Sequence, residues 1–114
     1  MYRIGEFATM TELTKETLRY YAEIKLLEPV YVDPDNHYKY YDNHSYLMAR
    51  LLFHLRRFGF SIQEMKDYVE KRSLDDLELI LQEKKRKLSH QVEEIEAIIK
   101  DIDSFIDEGN GAEK

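Results

Sequence analysis

A chain of 114 residues has room for one core of modest size, and with no cysteine it excludes disulfides, thiolate metal sites and thiol redox chemistry. The composition, 43% hydrophobic and 35% charged, is that of a soluble folded protein. No apolar run approaches the roughly 18 residues of a membrane span and MYRIGEFATM lacks the apolar centre of a signal peptide, so a cytoplasmic protein is expected. The net charge of −6 would disfavour an anionic partner if it were spread evenly, but residues 1–72 hold 11 Lys+Arg against 11 Asp+Glu, and all the excess acid lies in residues 73–114.

Ile4 to Thr9 reads as a short first helix, with Ile4, Phe7 and Ala8 on its buried side. Thr11-Glu12-Leu13 is a connection without a glycine to ease the turn. Thr14 can cap a second helix that ends near Ile24-Lys25, and Glu16 suits the positive end of its dipole. This helix has two faces: Lys15, Glu16, Arg19, Tyr20 and Glu23 on one, and Leu18, Tyr21 and Ala22 on the other. Two short helices so joined form a helix-turn-helix pattern. The polar face suits a charged, flat partner, for which the major groove of DNA is the candidate.

Pro29 blocks further helix. From Val30 to Tyr41 the period changes: Val30, Val32, Tyr38, Tyr40 and Tyr41 are strand formers around the turn residues Asp33-Pro34-Asp35-Asn36, which predicts a small β-hairpin. Asp42 or Asn43 can cap a helix to about Phe58, with Tyr46, Leu47, Arg50, Leu51, His54, Leu55 and Phe58 at buried-face spacing and Gly59 closing it. Ser61 to Glu64 is a capping box opening a short helix to about Lys71, with Ile62, Met65, Tyr68 and Val69 inward.

The last helix is expected from Leu74 to about Asp107, about 51 Å at the helical rise, after a start signature at Ser73. Its seam runs through Leu74, Leu77, Leu81, Lys84, Leu88, Gln91, Ile95, Ile98, Ile102 and Phe105, a coiled-coil spacing. Each large apolar side chain buried there would gain about 1.5–3 kcal/mol, enough in sum to exceed an association cost on the order of 4–15 kcal/mol. A homodimer is the expectation, with Leu77, Leu81, Leu88, Ile95, Ile98, Ile102 and Phe105 at its interface. A parallel pair would stack Lys84 on its own copy, so the antiparallel arrangement is favoured. The domains expected are residues 1–72, the helix 73–108, and a disordered tail 109–114.

Tyr2-Arg3-Ile4-Gly5-Glu6-Phe7-Ala8, Thr17-Leu18-Arg19-Tyr20-Tyr21, Ile24-Lys25-Leu26-Leu27, His37-Tyr38-Lys39-Tyr40-Tyr41 and Leu55-Arg56-Arg57-Phe58-Gly59-Phe60-Ser61 together resemble the N-terminal part of the MerR family of bacterial transcription regulators, over about residues 2–71. Val32-Asp33-Pro34-Asp35 is similar, more loosely, to its multidrug-responsive branch. The resemblance implies a mainly α fold, a winged helix-turn-helix with a small β-hairpin wing, followed by a long antiparallel coiled-coil helix. It implies a homodimer that binds double-stranded promoter DNA at a pseudo-palindrome and distorts it. By position, Lys15 and Arg19 would face the groove, Tyr20, Tyr38, Lys39 and Arg56 would hold phosphates, and Thr14 and Thr17 would assist at the helix start. The family commonly has glycine where Glu12, Lys25 and His37 stand, and arginine where Lys39 stands. Its cysteine sensors have no counterpart here, so no cofactor, metal or inducer is assigned.

Simpler roles compete at several positions. Tyr21, Tyr40 and Tyr41 are assigned to packing and Tyr20 to DNA, while Tyr38 is divided between the two. Of Arg56 and Arg57, adjacent and so on different faces, Arg56 is assigned to phosphate. The four histidines lack ligand-like spacing, and Lys84-Lys85-Arg86-Lys87 is read as a solvated helix face. No nucleophile–base set or phosphate loop suggests an enzyme. A coiled-coil module that heterodimerises with longer relatives is the alternative function.

Overall fold

In the computed structural model, residues 1–71 and 74–112 are described, residues 74, 111 and 112 by their backbone alone. The chain divides into two compact units, Met1–Arg72 and Ser73–Lys114.

In the first unit a two-residue strand β1 (Tyr2–Arg3) leads directly into helix α1 (Ile4–Thr11), and helix α2 (Lys15–Glu23) follows after a short turn. The turn is built by Thr11, which is fully buried. Its hydroxyl donates to the Phe7 carbonyl at 2.8 Å and accepts from the Leu13 N–H at 3.3 Å. Thr14 caps α2 as expected, accepting the Thr17 N–H at 3.0 Å.

The ends of α2 and of the longer helix α3 (Asn43–Arg57) share one closing geometry. At α2 the Lys25 N–H donates to Ala22 and the Leu26 N–H to Tyr21; at α3 Gly59 donates to Arg56 and Phe60 to Leu55. Both are the pair of bonds that ends a helix on a left-handed residue, with the next apolar residue folded back onto the core. Leu26 and Phe60 are accordingly buried. The left-handed residue is Gly59 (φ 94) in one case and Lys25 (φ 61) in the other.

The wing is a sheet of three strands, one more than the hairpin expected. Strand β3 (Lys39–Tyr41) is central, with β2 (Tyr31–Val32) on one side and β1 on the other, all antiparallel. Tyr2 pairs with Tyr41 and Arg3 with Tyr40, while Tyr31 pairs with Tyr40 and Val32 with Lys39. The hairpin turn closes through the Asp33 and Asn36 carboxyl and amide oxygens, which accept the Asp35 and Tyr38 N–H groups at 2.8 and 2.9 Å. β1 gives the two-stranded ribbon the further support it needs in water. Tyr41 anchors the sheet: its ring stacks on Phe7 with centroids 4.3 Å apart and planes 7° from parallel.

Helix α3 starts at its Asp42 cap, whose carboxylate accepts both the N–H and the hydroxyl of Ser45 at 2.9 Å. Its buried residues are Ser45, Ala49, Leu52 and Leu55. This corrects the expected stripe: Leu47 is 67% exposed, and His54 and Phe58 are exposed too. Ser45 and Ala49 are small, so the spacing of large apolar residues does not register them, and the large, fully buried Leu52 lies outside the expected stripe. In helix α4 (Ile62–Lys71) the capping box forms both ways, Ser61 N–H to Glu64 and Glu64 N–H to the Ser61 hydroxyl, each at 3.0 Å. Met65 and Tyr68 complete the core.

In the second unit a 3-10 turn, Leu74–Asp76, precedes helix α5 (Leu77–Ala112), so the α-helix begins three residues after the expected start. The cap expected at Ser73 lies outside the described residues. The expected tail is corrected over residues 109–112, which continue the helix. Glycine costs a helix about 1 kcal/mol but removes no hydrogen bond, and without proline nothing forces a stop. Leu88, Val92, Ile95, Ile98, Ile99, Ile102, Phe105 and Ile106 are all exposed, from 42% to 77%.

Candidate nucleic-acid interface

Helix α2 is held by Leu18 and Tyr21, both buried, which turns Lys15, Glu16, Arg19, Tyr20 and Glu23 outward. The spacing anticipated this division. An open groove lies on each side of the helix.

The first groove, about 710 Å³, is lined by Lys15 and Arg19 from α2, Tyr38 and Lys39 from the wing, and Arg3 from β1, with Glu6 as its acidic residue. Gly5 makes room for this arrangement, since a side-chain carbon there would stand 3.3 Å from the Lys15 Cε. His37 also lines the groove, at the left-handed position of the hairpin turn (φ 62). The Arg3 guanidinium lies over the Tyr38 ring, its carbon 3.8 Å from the centroid.

The second groove, about 690 Å³, brings Thr17 and Tyr20 of α2 together with Arg56 and Arg57 of α3, over a floor that includes Leu13, Tyr21, Phe53 and Ile62. Both arginines line it, although adjacent positions on one helix had been expected to separate them. α3 ends there, and the Arg56 side chain reaches over the closing turn to donate to the Phe60 carbonyl at 3.0 Å. Burial raises the Tyr21 phenol above its ordinary pKa, while the Arg56 charge nearby opposes the rise. Burial does the same to Tyr41, opposed by Arg19.

Of the residues singled out by the sequence, Lys15, Arg19, Tyr38 and Lys39 meet in the first groove, and Thr17, Tyr20 and Arg56 in the second. Thr14 lines neither; its hydroxyl is engaged with Thr17 in the cap, donating to the Thr17 hydroxyl at 2.9 Å. Sequence reasoning missed Arg3, His37, Phe53 and Arg57 as lining residues. Arg3 carried no local signal: a two-residue strand has no alternation, and its pairing with Tyr40 is long-range. Among the described residues no group of three or more His, Asp or Glu is placed to hold a metal ion, and no helix is long and apolar enough to cross a membrane.

An exposed second helix in a helix-turn-helix, flanked by cation-lined grooves and a β-wing, defines a winged helix-turn-helix of the DNA-binding class. Two family patterns match the sequence: "MerR HTH family regulatory protein" over residues 2–72 and "MerR, DNA binding" over residues 49–105. The chain belongs to the MerR family of DNA-binding transcriptional regulators, a family of regulators rather than enzymes. It is 31% identical over 105 residues to the HTH-type transcriptional regulator ZntR of Escherichia coli, covering 92% of this chain and 73% of ZntR. It is 30% identical over 97 residues to the multidrug-efflux transporter 1 regulator of Bacillus subtilis, covering 85% of this chain and 34% of that protein. The chain thus spans about a third of the length of the multidrug-efflux regulators it matches. The crystal structure of the N-terminus of MtaN, the Bacillus subtilis multidrug transporter activator, shares the fold with a TM-score of 0.84 at 23% identity, covering 93% of this chain and 98% of that one. The cryo-EM structure of an EcmrR–DNA complex matches with a TM-score of 0.71 at 26% identity, covering 92% of this chain and 38% of EcmrR.

Proposed function

We propose that two copies of this chain pair through α5, antiparallel, and together bind a pseudo-palindromic promoter in the cytoplasm, distorting the DNA as they do so. The observation that carries the reading is the convergence of cations from separate elements on both sides of α2: Arg3, Lys15, Arg19 and Lys39 in one groove and Arg56 and Arg57 in the other. Lys15 and Arg19 reach base edges in the major groove. Tyr20, Tyr38, Lys39 and Arg56 hold phosphates on either side, and Thr14 and Thr17 secure the helix start. Fixed phosphate contacts on both flanks of the reading helix supply the grip that bending a duplex requires.

The dimer is supported by the bare apolar stripe of α5, in which Ile95, Ile98, Ile102 and Phe105 are 53% to 77% exposed in the single chain. A stripe of that extent is covered in a stable protein. Sedimentation of the protein alone, with a gel shift on the promoter of its own gene, tests the reading. The expected result is a dimer that shifts the DNA and loses affinity steeply with salt. Ile98→Asp should give a monomer with impaired binding. No shift at low salt on that promoter or any genomic fragment would refute the function. Poor binding alone, restored by a longer relative, would favour a heterodimerising module.

A further inference from the structure

We infer that Arg3 is a DNA-phosphate ligand presented by the wing, with Tyr38 as its positioning residue. The inference deepens the proposed DNA-binding site and rests on that reading.

Arg3 belongs to β1, outside the helix-turn-helix, yet the antiparallel pairing of Arg3 with Tyr40 sets it beside the wing. Its guanidinium lies over Tyr38, the carbon 3.8 Å from the ring centroid. A guanidinium held over a ring face still has N–H groups directed away from the ring and available to a phosphate. Among the described residues Arg3 has no ion-pair partner, and both Arg3 and Tyr38 are exposed. Glu6 lines the same groove without pairing with it.

The wing's own cation, Lys39, is a compact point charge. Arg3 is a planar fork suited to two phosphate oxygens at once. A free arginine side chain loses rotamer freedom when it binds. Tyr38 has already removed much of that freedom, so less is lost on contact with DNA. β1 therefore contributes to the wing a pre-set, bidentate phosphate site beside the reading helix.

The test is fluorescence anisotropy of the intact protein with two labelled duplexes, the promoter of its own gene and a scrambled sequence, over a salt series. Arg3→Ala should weaken binding to both duplexes by about tenfold or more and lower the slope of log K against log[salt] by about 2, one phosphate for each of two protomers. Arg3→Lys should restore the slope but not the full affinity. Tyr38→Phe should keep the sensitivity to Arg3→Ala, whereas Tyr38→Leu should remove most of it. Thermal melting should be unchanged by Arg3→Ala, since the side chain is exposed. If the wild type binds neither duplex at low salt, the function itself fails. If it binds and Arg3→Ala keeps its affinity and slope, the inference alone fails. A loss confined to the promoter sequence overturns the phosphate assignment in favour of base contact.

Discussion

The Arg50 guanidinium stands 3.5 Å from the Glu12 carboxylate, and the same nitrogen donates to the neighbouring Thr11 carbonyl at 3.1 Å. Arg50 thus clamps, from α3, the turn between α1 and α2. The two contacts differ in weight. Glu12 is 66% exposed, and such an ion pair contributes about 0–1 kcal/mol. The charged hydrogen bond to a backbone carbonyl is worth about 1.5–3 kcal/mol where water is excluded, and rather less at this half-buried site. Arg50→Ala is expected to destabilise the protein by about 1–2 kcal/mol in urea denaturation, and Glu12→Gln by clearly less. Equal losses from both would show that the ion pair, and not the carbonyl bond, holds the turn.

Glu12 (φ 68), Lys25 (φ 61) and His37 (φ 62) are the non-glycine residues with left-handed backbone among those described. They are the three positions at which the resemblance implied glycine. A side chain in this conformation costs roughly 1–2 kcal/mol, offset in part by the greater freedom glycine has when unfolded. Lys25→Gly is the cleanest test, because Lys25 is exposed and Gly59 fills the equivalent place after α3. It should stabilise the protein by about 0.5–1 kcal/mol, read as a higher denaturation midpoint at unchanged slope. Lys25→Val, branched at the strained position, should do the opposite.

The Tyr41 hydroxyl is buried and has no hydrogen-bond partner among the described residues. Removing an unsatisfied group lifts its desolvation cost while the Phe7 stack remains. Tyr41→Phe should therefore be neutral or stabilising by up to about 1 kcal/mol. The alkaline limb gives a second readout. Burial raises the pKa of Tyr41 and Tyr21 above 10.0 in the folded state. A raised folded pKa gives stability that is complete below the unfolded value and is lost as pH rises through the folded one. Wild type should weaken above about pH 10, and Tyr41→Phe should weaken less over that range.

Asp42 governs the acid limb at the start of α3. Hydrogen bonds from the Ser45 N–H and hydroxyl lower its pKa below the ordinary 3.8. A lowered folded pKa gives stability present above the unfolded value and lost as pH falls through the folded one. Asp42→Ala should destabilise the protein at neutral pH, with the difference from wild type shrinking below pH 3.8. Asp42→Asn should retain much of the cap and flatten the dependence. A difference that stays constant down to pH 2 would show that the carboxylate charge is not involved.

What the sequence made legible was mostly local. Thr14, Asp42 and the Ser61–Glu64 box could be read as helix starts because capping joins residues two or three apart. The two faces of α2 were legible for the same reason. β1 was not, since two residues carry no alternation and their partners lie near Tyr40 and Tyr41, far along the chain. The buried side of α3 was legible at Leu55 alone: Ser45 and Ala49 are small residues that a pattern of large apolar side chains does not register, and the large Leu52 fell outside the expected stripe. At the interface, Lys15, Arg19, Tyr38 and Lys39 could be chosen from their motifs. That Arg3 would join them depended on a pairing across the wing, and that Arg50 would brace the turn depended on a contact between α3 and the end of α1.

The most direct test of the proposed promoter complex is a hydroxyl-radical footprint of the wild-type protein on the promoter of its own gene. Two reading helices related by a dyad, each with phosphate contacts on both flanks, predict two symmetric protected patches whose centres lie whole helical turns apart, about 34–36 Å per turn. Both should disappear together when salt is raised. A single unpaired patch, or no protection at low salt, would contradict the account.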